Sequence, residues 1–245
     1  MKFFGLTDIG KVRKENQDAW RSYLSADGSE CAAVVCDGMG GAQAGSVASG
    51  IAADTFIQHV RACLEQTVRP APDEMVRDAA SYANLRVYDK AFTSPECRGM
   101  GTTLVGALVL GTAAAVVNVG DSRAYHLDKS GKLSRVTRDH SLVEEMVDKG
   151  RLTPEEARSH PRRNIITRAM GIEPDVCCDV FLLKLAPGES LLLCTDGLTN
   201  QMHEAEIERV LRRDGEPEER CGELVKRTLE RGAPDNVTAV LLCIE

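Results

Sequence analysis

Short apolar runs set between polar and turn-forming residues most limit what this chain can fold into. Such runs, rich in Val, Leu and Ala and too short for typical helices, predict buried strands. Several follow one another with no helix-like stretch between them, which favours antiparallel sheets over a regular alternation of strand and helix. The predicted strands are Phe3–Thr7, Cys31–Cys36, Thr103–Leu110, Ala113–Val119, Ala124–Leu127, Val176–Leu185, Ser190–Cys194 and Val237–Ile244.

Apolar residues at helical spacing predict amphipathic helices between the groups of strands. The three apolar faces are formed by Ala48, Ile51, Ala52, Phe56, Val60 and Cys63, by Val76, Ala80, Ala83 and Val87, and by Leu224, Val225, Thr228 and Leu229. Neither a linker nor an internal repeat divides the chain, so one domain spanning residues 1–245 is expected. The expected fold is α+β, a β-sandwich of two antiparallel sheets flanked by helices in the four-layer order αββα.

Composition and charge exclude several classes of protein. A chain with 43% hydrophobic and 27% charged residues can bury a sizeable core. Its net charge of −7 argues against a nucleic-acid partner, which would need a basic face to bind phosphates. The uncharged stretch from Gly101 to Gly120 approaches the length of a membrane-spanning helix. Because Leu110-Gly111-Thr112 interrupts it, we expect two strands joined by a tight turn and no membrane association.

The nine cysteines contain no Cys-x-x-Cys pair, so a zinc site is not predicted. Their number is odd and the first residues do not form a secretory signal, so we expect reduced thiols in a cytoplasmic protein. Cysteine-based phosphatases use a Cys-x5-Arg loop, and Cys63…Arg69 and Cys221…Arg227 have that spacing. Neither has the set of glycines that a phosphate-binding loop needs, and both start inside helical patterns, so we interpret them as coincidence.

Acidic residues stand where apolar runs end. Asp37, Asp121 and Asp196 follow such runs, and Asp235 comes just before the last one. Because the end of a buried strand lies at the rim of its sheet, four carboxylates in such positions can converge on one edge. Carboxylates packed together repel one another, and burial adds to the cost. Mg²⁺ and Mn²⁺ relieve that repulsion and prefer oxygen ligands, so the pattern indicates a metal site.

Gly38 follows Asp37, and a glycine lets the backbone come close enough for its carbonyl to join the metal ligands. An Asp-Gly pair by itself more often marks a turn. Four acidic residues at the ends of apolar runs are harder to explain by turns alone. We therefore favour the metal site.

Six motifs resemble those of the type-2C metal-dependent protein phosphatases, the PPM family. They are Asp8-Ile-Gly-Lys-Val-Arg13-Lys-Glu-Asn16-Gln-Asp18-Ala, Val34-Val-Cys-Asp37-Gly38-Met39-Gly40-Gly41, Gly99-Met-Gly-Thr-Thr103, Val119-Gly-Asp121-Ser-Arg123, Cys194-Thr-Asp196-Gly197-Leu198 and Pro234-Asp235-Asn236-Val-Thr238. They follow in the family's order and cover essentially the whole chain. Several motifs in the right order are far more specific than any one of them.

The resemblance implies a β-sandwich flanked by helices, with two Mn²⁺ or Mg²⁺ ions in a cleft at one end. Matched motif by motif, Asp37 would bridge the two metals and the Gly38 carbonyl would complete one metal's ligands. Asp196 and Asp235 would hold the first metal, and Asp18 would serve the second, directly or through water. The metals would activate a water that attacks phosphoserine or phosphothreonine in proteins, with no covalent phosphoenzyme.

Further positions match the family's site. Bacterial members often bind a third metal, for which Asp121 and Asp196 match the ligands. Arg13 matches the arginine that binds the substrate phosphate, and its forked guanidinium suits bidentate contact. Asn236 is expected to support the loop that carries Asp235. The catalytic residues that the resemblance implies are Arg13, Asp37 and Asp196.

Residues 138–171 resemble the family's flap, the loop and helices beside the cleft. Many bacterial relatives read Asp-Gly-Met-Gly-Gly-His, whereas this chain has Ala42 in the sixth position. That histidine is a candidate proton donor, and such a donor contributes ~10²–10⁴-fold to rate. What protonates the leaving group here is left open. No motif supports a catalytic role for the histidines that are present, so we expect structural or surface positions for them.

The resemblance implies phosphorylated proteins as partners, among them a serine/threonine kinase and the substrates of that kinase, and we expect a monomer. The motifs do not separate these substrates from a phosphorylated anti-sigma-factor antagonist or a small phosphorylated metabolite. A non-catalytic binding module on the same fold is a further alternative. Such a module should have lost metal ligands, whereas this chain keeps Asp18, Asp37, Asp196 and Asp235.

Overall fold

The computed structural model describes residues 1–41 and 44–245, so Ala42 lies outside the described residues. The strands are β1 (Lys2–Asp8), β2 (Asp18–Leu24), β3 (Glu30–Met39), β4 (Gly101–Thr102), β5 (Leu104–Leu110), β6 (Ala113–Val119), β7 (Arg123–Leu127), β8 (Leu133–Arg135), β9 (Asp179–Lys184), β10 (Ser190–Cys194) and β11 (Val237–Cys243). The helices are α1 (Ala44–Leu64), α2 (Pro72–Thr93), α3 (Leu142–Asp148), α4 (Pro154–Ser159), α5 (Asp196–Thr199), α6 (Glu204–Leu211) and α7 (Pro217–Glu230), with a 3-10 turn at Pro95–Cys97.

The strands form two antiparallel sheets. Sheet 1 has the order β1-β11-β10-β7-β8, and sheet 2 has the order β2-β3-β5-β6-β9, with β4 paired to β3. Strands β5 and β6 form the hairpin that the uncharged stretch from Gly101 to Gly120 predicts. None of the described helices combines the length and the apolar character that crossing a membrane requires.

Strand β3 shows why the layers stack as they do. Every residue from Cys31 to Cys36 is buried, so both faces of the strand are covered. Successive side chains of a strand point to opposite faces. The even-numbered residues therefore pack against helices α1 and α2, and the odd-numbered ones pack against sheet 1. The helix-facing residues are Ala32, Val34 and Cys36, and the sheet-facing residues are Cys31, Ala33 and Val35.

Three apolar clusters fill the spaces between the four layers. The first joins α1 and α2 to sheet 2 and contains Phe56. The second fills the space between the sheets and contains Val105 and Leu193, and the third joins sheet 1 to α6 and α7 through Tyr125 and Leu224. Full burial of one large apolar side chain contributes about 1.5–3 kcal/mol. The predicted α+β sandwich with helices outside is confirmed.

The sequence prediction missed several elements. Strand β2 was not predicted because it is an edge strand with a mixed, half-exposed pattern rather than an apolar run. Strands β4 and β8 have only two and three residues, too few to leave a periodic signal. The predicted strand Val176–Leu185 was too long, since its first residues form a loop before β9. Strand β3 continues to Met39, so Asp37 lies inside the strand rather than after it.

Gly106 in β5 lies directly beneath Phe56 of α1. A Cβ added at Gly106 would stand 2.6 Å from Phe56 Cζ. Phe56 is fully buried, so its ring has little room to move away. We predict that Gly106→Ala lowers the free energy of unfolding by about 1–3 kcal/mol through overpacking, measured by denaturant titration.

Gly50→Ala is the matched control, because Gly50 lies in the middle of α1. A Cβ there meets no described heavy atom within 4 Å. The same substitution at this position should raise stability by up to about 1 kcal/mol, since alanine favours helices more than glycine does. Equal effects of the two substitutions would contradict the close packing of α1 on β5.

Candidate metal centre and active site

The antiparallel pairing brings the predicted acidic residues to one end of the sandwich. Asp18 begins β2 and lies opposite Asp37 of β3 in the strand register. Asp121 lies in the turn between β6 and β7, and Asp196 begins α5, directly beyond the end of β10. Asp235 lies just before β11. The structure thus brings together the five carboxylates that sequence reasoning singled out.

Asp18 connects the two sheets at this end. Its backbone belongs to sheet 2, yet its Oδ2 accepts hydrogen bonds from the hydroxyls of Thr195 (3.0 Å) and Thr238 (2.6 Å), which lie in and beside the strands of sheet 1. The two threonines are themselves joined, because Thr238 N donates to Thr195 Oγ1 at 3.0 Å. Asp18 Oδ1 is buried and has no hydrogen-bond partner among the described residues.

The backbone of Asp37 is held by Thr103. Asp37 N donates to Thr103 Oγ1 and Thr103 N donates to Asp37 O, both at 2.9 Å. Gly38 N donates to Gln17 O at 3.0 Å. A Cβ at Gly38 would collide with Gly45 O, so only glycine fits where β3 passes the start of α1. Glycine at this position therefore has a packing reason beside the access to its carbonyl that the sequence suggests.

One carboxylate oxygen of Asp196 accepts a hydrogen bond and the other does not, as in Asp18. Asn200 Nδ2 donates to Asp196 Oδ2 at 2.9 Å from one turn further along the chain. Asp196 Oδ1 is buried without a hydrogen-bond partner in the part of the chain that the structure describes. Its backbone is fixed at the first position of α5, directly beyond the end of β10.

Asn236 fastens the loop between β1 and β2 to the segment that carries Asp235. Its Nδ2 donates to the carbonyls of Ile9 (2.9 Å) and Glu15 (3.0 Å). Its Oδ1 accepts from Gln17 N at 2.9 Å. All the polar atoms of this side-chain amide are thus used in one crosslink between the two segments.

Arg13 lies in the loop that Asn236 fastens. Its Nη2 donates to Asp235 Oδ2 at 2.7 Å, and both side chains are partly exposed. This hydrogen bond raises the pKa of Arg13, and the charges of Asp37 and Asp196 act in the same direction. The positively charged guanidinium group of Arg13 thus lies at the exposed edge of the carboxylate cluster.

Asp121 follows a turn residue that must be glycine. Gly120 has a φ of +107°, and a Cβ there would stand 2.6 Å from Thr103 Cγ2. The hydroxyl of Ser122 shares a 2.7 Å hydrogen bond with the hydroxyl of Thr103. Because Thr103 also holds Asp37, one residue sets the positions of both carboxylates.

The carboxylates resist being ionised together. Burial raises the pKa of Asp18 to about 7 and that of Asp121 to about 8, and the charge of Asp196 adds to both shifts. Burial, followed by the charges of Asp18 and Asp196, holds the pKa of Asp37 well above its usual range. Burial and the charge of Asp235 raise the pKa of Asp196. Cations bound among these groups would stabilise the ionised carboxylates and so counteract the rise in their pKa values.

The donor set fits oxygen-preferring divalent metals. Buried carboxylate oxygens without partners are rare in proteins, and two of them, Asp18 Oδ1 and Asp196 Oδ1, occur in this cluster. The donors are all oxygens, which suits Mg²⁺ and Mn²⁺. Within residues 1–41 and 44–245, no group of three or more acidic, histidine or cysteine side chains is arranged to hold a metal ion. The fit therefore rests on the chemistry of the donors.

A cavity of about 490 Å³ opens beside Asp121 and Asp196. Helices α3 and α4, within residues 138–171, also line this cavity. Arg158 of α4 holds this segment against the core, because its Nη2 donates to Thr199 O at 3.1 Å. The carboxylate cluster is thus open on one side to a space of peptide side-chain size.

The three threonines that hold the carboxylates lie in the motifs quoted above, but sequence reasoning gave none of them a role. A signal was present for Thr195, which is a polar residue at the end of the otherwise apolar run Leu-Leu-Leu-Cys. The two Cys-x5-Arg spacings have no catalytic setting, since Cys63 and Cys221 lie inside α1 and α7. Burial raises the pKa of both thiols, that of Cys221 to about 12, so neither forms a thiolate near neutral pH.

Comparison with known proteins identifies the family. The sequence profile described as Protein phosphatase 2C matches residues 11–231. The chain belongs to the protein phosphatase 2C family. As a member, it is a protein serine/threonine phosphatase, and the predicted class of enzyme is confirmed.

Individual relatives match the phosphatase along its full length. The serine/threonine phosphatase Stp of Listeria monocytogenes is 34% identical over 236 residues, which cover 96% of this chain and 93% of the relative. The crystal structure of the serine/threonine phosphatase Stp1 from Staphylococcus aureus has a TM-score of 0.90 at 37% identity, covering 100% of this chain and 95% of the other. The structure of the catalytic domain of the phosphatase PstP in complex with two manganese ions has a TM-score of 0.83 at 30% identity. The match covers 100% of this chain and 98% of the other.

The pKa shifts predict how the stability of the metal-free phosphatase depends on pH. An unfolded chain releases its aspartate protons near pH ~4, whereas Asp18 keeps its proton up to about pH 7 and Asp121 up to about pH 8 in the native state. The native state therefore binds more protons between these values, and its stability falls as pH rises. Each such carboxyl contributes about 1.4 kcal/mol per pH unit. Thermal unfolding of chelator-treated protein between about pH 5.5 and about pH 8 measures this slope.

Two variants distinguish the contribution of the site carboxylates to this pH dependence from that of other titrating groups. Asp18→Asn should give a flatter slope, because one of the native-state protons is gone. Asp27→Asn should leave the slope unchanged, because hydrogen bonds from Ser25 and Ser29 lower the pKa of exposed Asp27 to about 2. Identical slopes for the metal-free wild type and Asp18→Asn would show that Asp18 is not protonated in the native state.

Proposed function

We propose that this phosphatase hydrolyses phosphoserine and phosphothreonine in proteins at a centre of two Mn²⁺ or Mg²⁺ ions. The observation that carries the proposal is the partly buried cluster of carboxylates, which resist joint ionisation and leave two oxygens without partners among the described residues. The likeness to PstP, whose structure contains two manganese ions, supports it.

The proposed ligands follow the positions of the carboxylates. Asp37 would serve both metals, and the Gly38 carbonyl would complete one set of ligands. Asp196 and Asp235 would hold the first metal. Asp18 serves the second, and its position opposite Asp37 in the strand register supports this role.

A third metal is proposed between Asp121 and Asp196. The charge of Asp196 is the largest electrostatic contribution to the raised pKa of Asp121, which supports their closeness. Both residues line the 490 Å³ cavity. We propose that residues 138–171 act as the flap over this cavity, within one phosphatase domain spanning residues 1–245.

Bound metals would supply an activated water and stabilise the charge on the phosphoryl oxygens. Arg13 binds the substrate phosphate through its exposed guanidinium, while its contact with Asp235 keeps the fork at the edge of the cluster. Asn236 holds the loop that presents Arg13. The threonines Thr103, Thr195 and Thr238 keep the carboxylates from moving apart or towards solvent.

The proposed partners are phosphorylated proteins, among them a serine/threonine kinase and the substrates of that kinase. The open cavity beside the carboxylates supports a protein substrate, because it leaves room for residues that flank the phosphorylated one. We propose that the phosphatase acts as a cytoplasmic monomer. Its nine cysteines, all within the described residues, are free thiols, which suits a reducing compartment.

Release of phosphate from matched peptides tests the proposal. Phosphothreonine and phosphoserine peptides should be hydrolysed with Mn²⁺ present, phosphotyrosine peptides much less, and activity should disappear in excess chelator and return with Mn²⁺. Asp37→Ala should lower turnover by more than ~10²-fold, whereas Cys221→Ser should keep it. Full activity after exhaustive chelation, or a Cys221→Ser variant without activity, would refute the two-metal mechanism.

Arg13→Ala tests phosphate binding separately from water activation. We expect kcat/KM to fall roughly 10–100-fold, mainly through a raised KM, because a charge-assisted contact to the substrate is lost. Arg21→Ala is the matched control, since Arg21 is an exposed arginine of β2 paired with Asp54. A large loss of kcat at unchanged KM would place Arg13 in transition-state stabilisation instead.

A further inference from the structure

His140 joins residues 138–171 to the turn that carries Asp121. It is buried, with 6% of its surface exposed. Its backbone N donates to Gly120 O at 2.9 Å, and its ring Nδ1 accepts from Gly120 N at 3.1 Å. One residue therefore satisfies both backbone polar groups of Gly120.

The other ring nitrogen of His140 faces a second pair of residues. Nε2 lies 3.1 Å from Asp179 Oδ2, and Arg168 Nη1 donates to Asp179 Oδ1 at 3.0 Å. Because Nδ1 accepts from Gly120 N, the neutral ring carries its proton on Nε2. That proton is donated to Asp179, so the 3.2 Å approach of Arg168 to Nε2 is not a hydrogen bond. Asp179 thus fixes the tautomer that the Gly120 contact needs.

Further contacts tie the same point to the proposed flap. His140 O accepts from Thr167 N at 2.8 Å, and Ser141 pairs with Ile166. The two ends of residues 141–167 are therefore joined at His140. Burial lowers the pKa of His140, so its ring is neutral near pH 7.

The Gly120 turn depends on outside support. Gly120 lies just beyond the end of β6, has a positive φ and packs closely against Thr103, and its N–H donates to His140 Nδ1. The Gly120 N–H is buried, and a buried donor that loses its acceptor carries the full desolvation cost. Removing the acceptor at Nδ1 therefore favours a shifted turn, and Asp121 is the next residue.

We propose that His140 is a positioning residue that holds the Gly120–Asp121 turn in place for metal binding, with Asp179 orienting its ring. The proposal rests on the proposed role of Asp121 as a metal ligand. Outer-shell residues of this kind orient ligands without touching the metal. His140 has no motif-based catalytic role, and the structure assigns it this one.

Two substitutions at His140 distinguish the roles of its two ring nitrogens. In His140→Asn the side-chain oxygen can stand near the former Nδ1 and accept from Gly120 N. In His140→Gln the amide reaches the former Nε2 and provides no acceptor for Gly120. The proposal therefore predicts that His140→Asn behaves like the wild type and that His140→Gln behaves like His140→Ala.

The first readout is amide-proton exchange at Gly120, measured by NMR on the metal-free protein. We expect exchange about fivefold or more faster in His140→Gln and His140→Ala than in the wild type and His140→Asn, because one buried hydrogen bond is lost. Asp179→Ala should also speed exchange, since the ring is then free to carry its proton on Nδ1. Asp179→Asn should do so less, because its side-chain oxygen still accepts. The Asp179 pair keeps the test decisive if a His140 variant fails to fold.

The second readout is Mn²⁺ binding, measured by titration calorimetry. Asp121→Asn identifies the binding step that depends on Asp121. We expect that step to weaken by ~10–100-fold in His140→Gln and by much less in His140→Asn. His126→Asn is the matched control, because His126 also bonds a carboxylate, Glu189 at 2.9 Å, at the other end of sheet 1.

The outcomes of the two readouts are distinct. Unchanged Gly120 exchange in His140→Gln and Asp179→Ala, or greater protection in His140→Gln than in His140→Asn, would overturn the role of His140. If Asp121→Asn leaves every Mn²⁺ step unchanged, the proposed ligand role of Asp121 fails instead. The exchange data then still decide whether His140 holds the turn, and the metal part of the proposal is withdrawn.

Discussion

Mutual repulsion among the partly buried carboxylates at one end of the sandwich is the constraint on which the rest of the structure depends. Asp18 and Asp37 lie opposite each other in neighbouring strands, and Asp196 adds its charge to both. A fold that brought these groups together by packing alone would move them apart or expose them. Here hydrogen bonds from threonines and the close packing around glycines hold the carboxylates near one another. Bound cations would offset the repulsion that this closeness causes.

The two-sheet architecture makes this arrangement possible. Asp18 belongs to sheet 2 but accepts hydrogen bonds from Thr195, directly after β10, and from Thr238 in β11, both on the side of sheet 1. The apolar layer between the sheets fixes their spacing, and this polar contact closes the layer at the site end. Stability and function are therefore linked, because the residues that align the sheets also align the carboxylates. The loop that presents Arg13 is fastened to the same end by Asn236.

The sequence predicts the layers and the acidic residues well because both leave local signals. Strands β5, β6, β10 and β11 are apolar runs, and the aspartates stand near their ends. The partners of those aspartates leave weaker signals, since Thr238 reaches Asp18 across 220 positions of sequence. Strand β2 was missed because a half-exposed edge strand lacks an apolar run. For His140 the sequence predicts only a structural or surface position, because a contact with a backbone N–H twenty positions away leaves no sequence pattern.

The central claim is that the carboxylates form one shared metal site rather than several separate ion pairs, and metal stoichiometry tests it most directly. Mn²⁺ bound per chain would be measured by equilibrium dialysis for the wild type, Asp37→Asn and the control Asp27→Asn. Because Asp37 is proposed to bridge, its loss should remove about two ions at once, while Asp27→Asn should bind as the wild type does. Loss of a single ion, or unchanged stoichiometry in Asp37→Asn, would contradict a shared site bridged by Asp37.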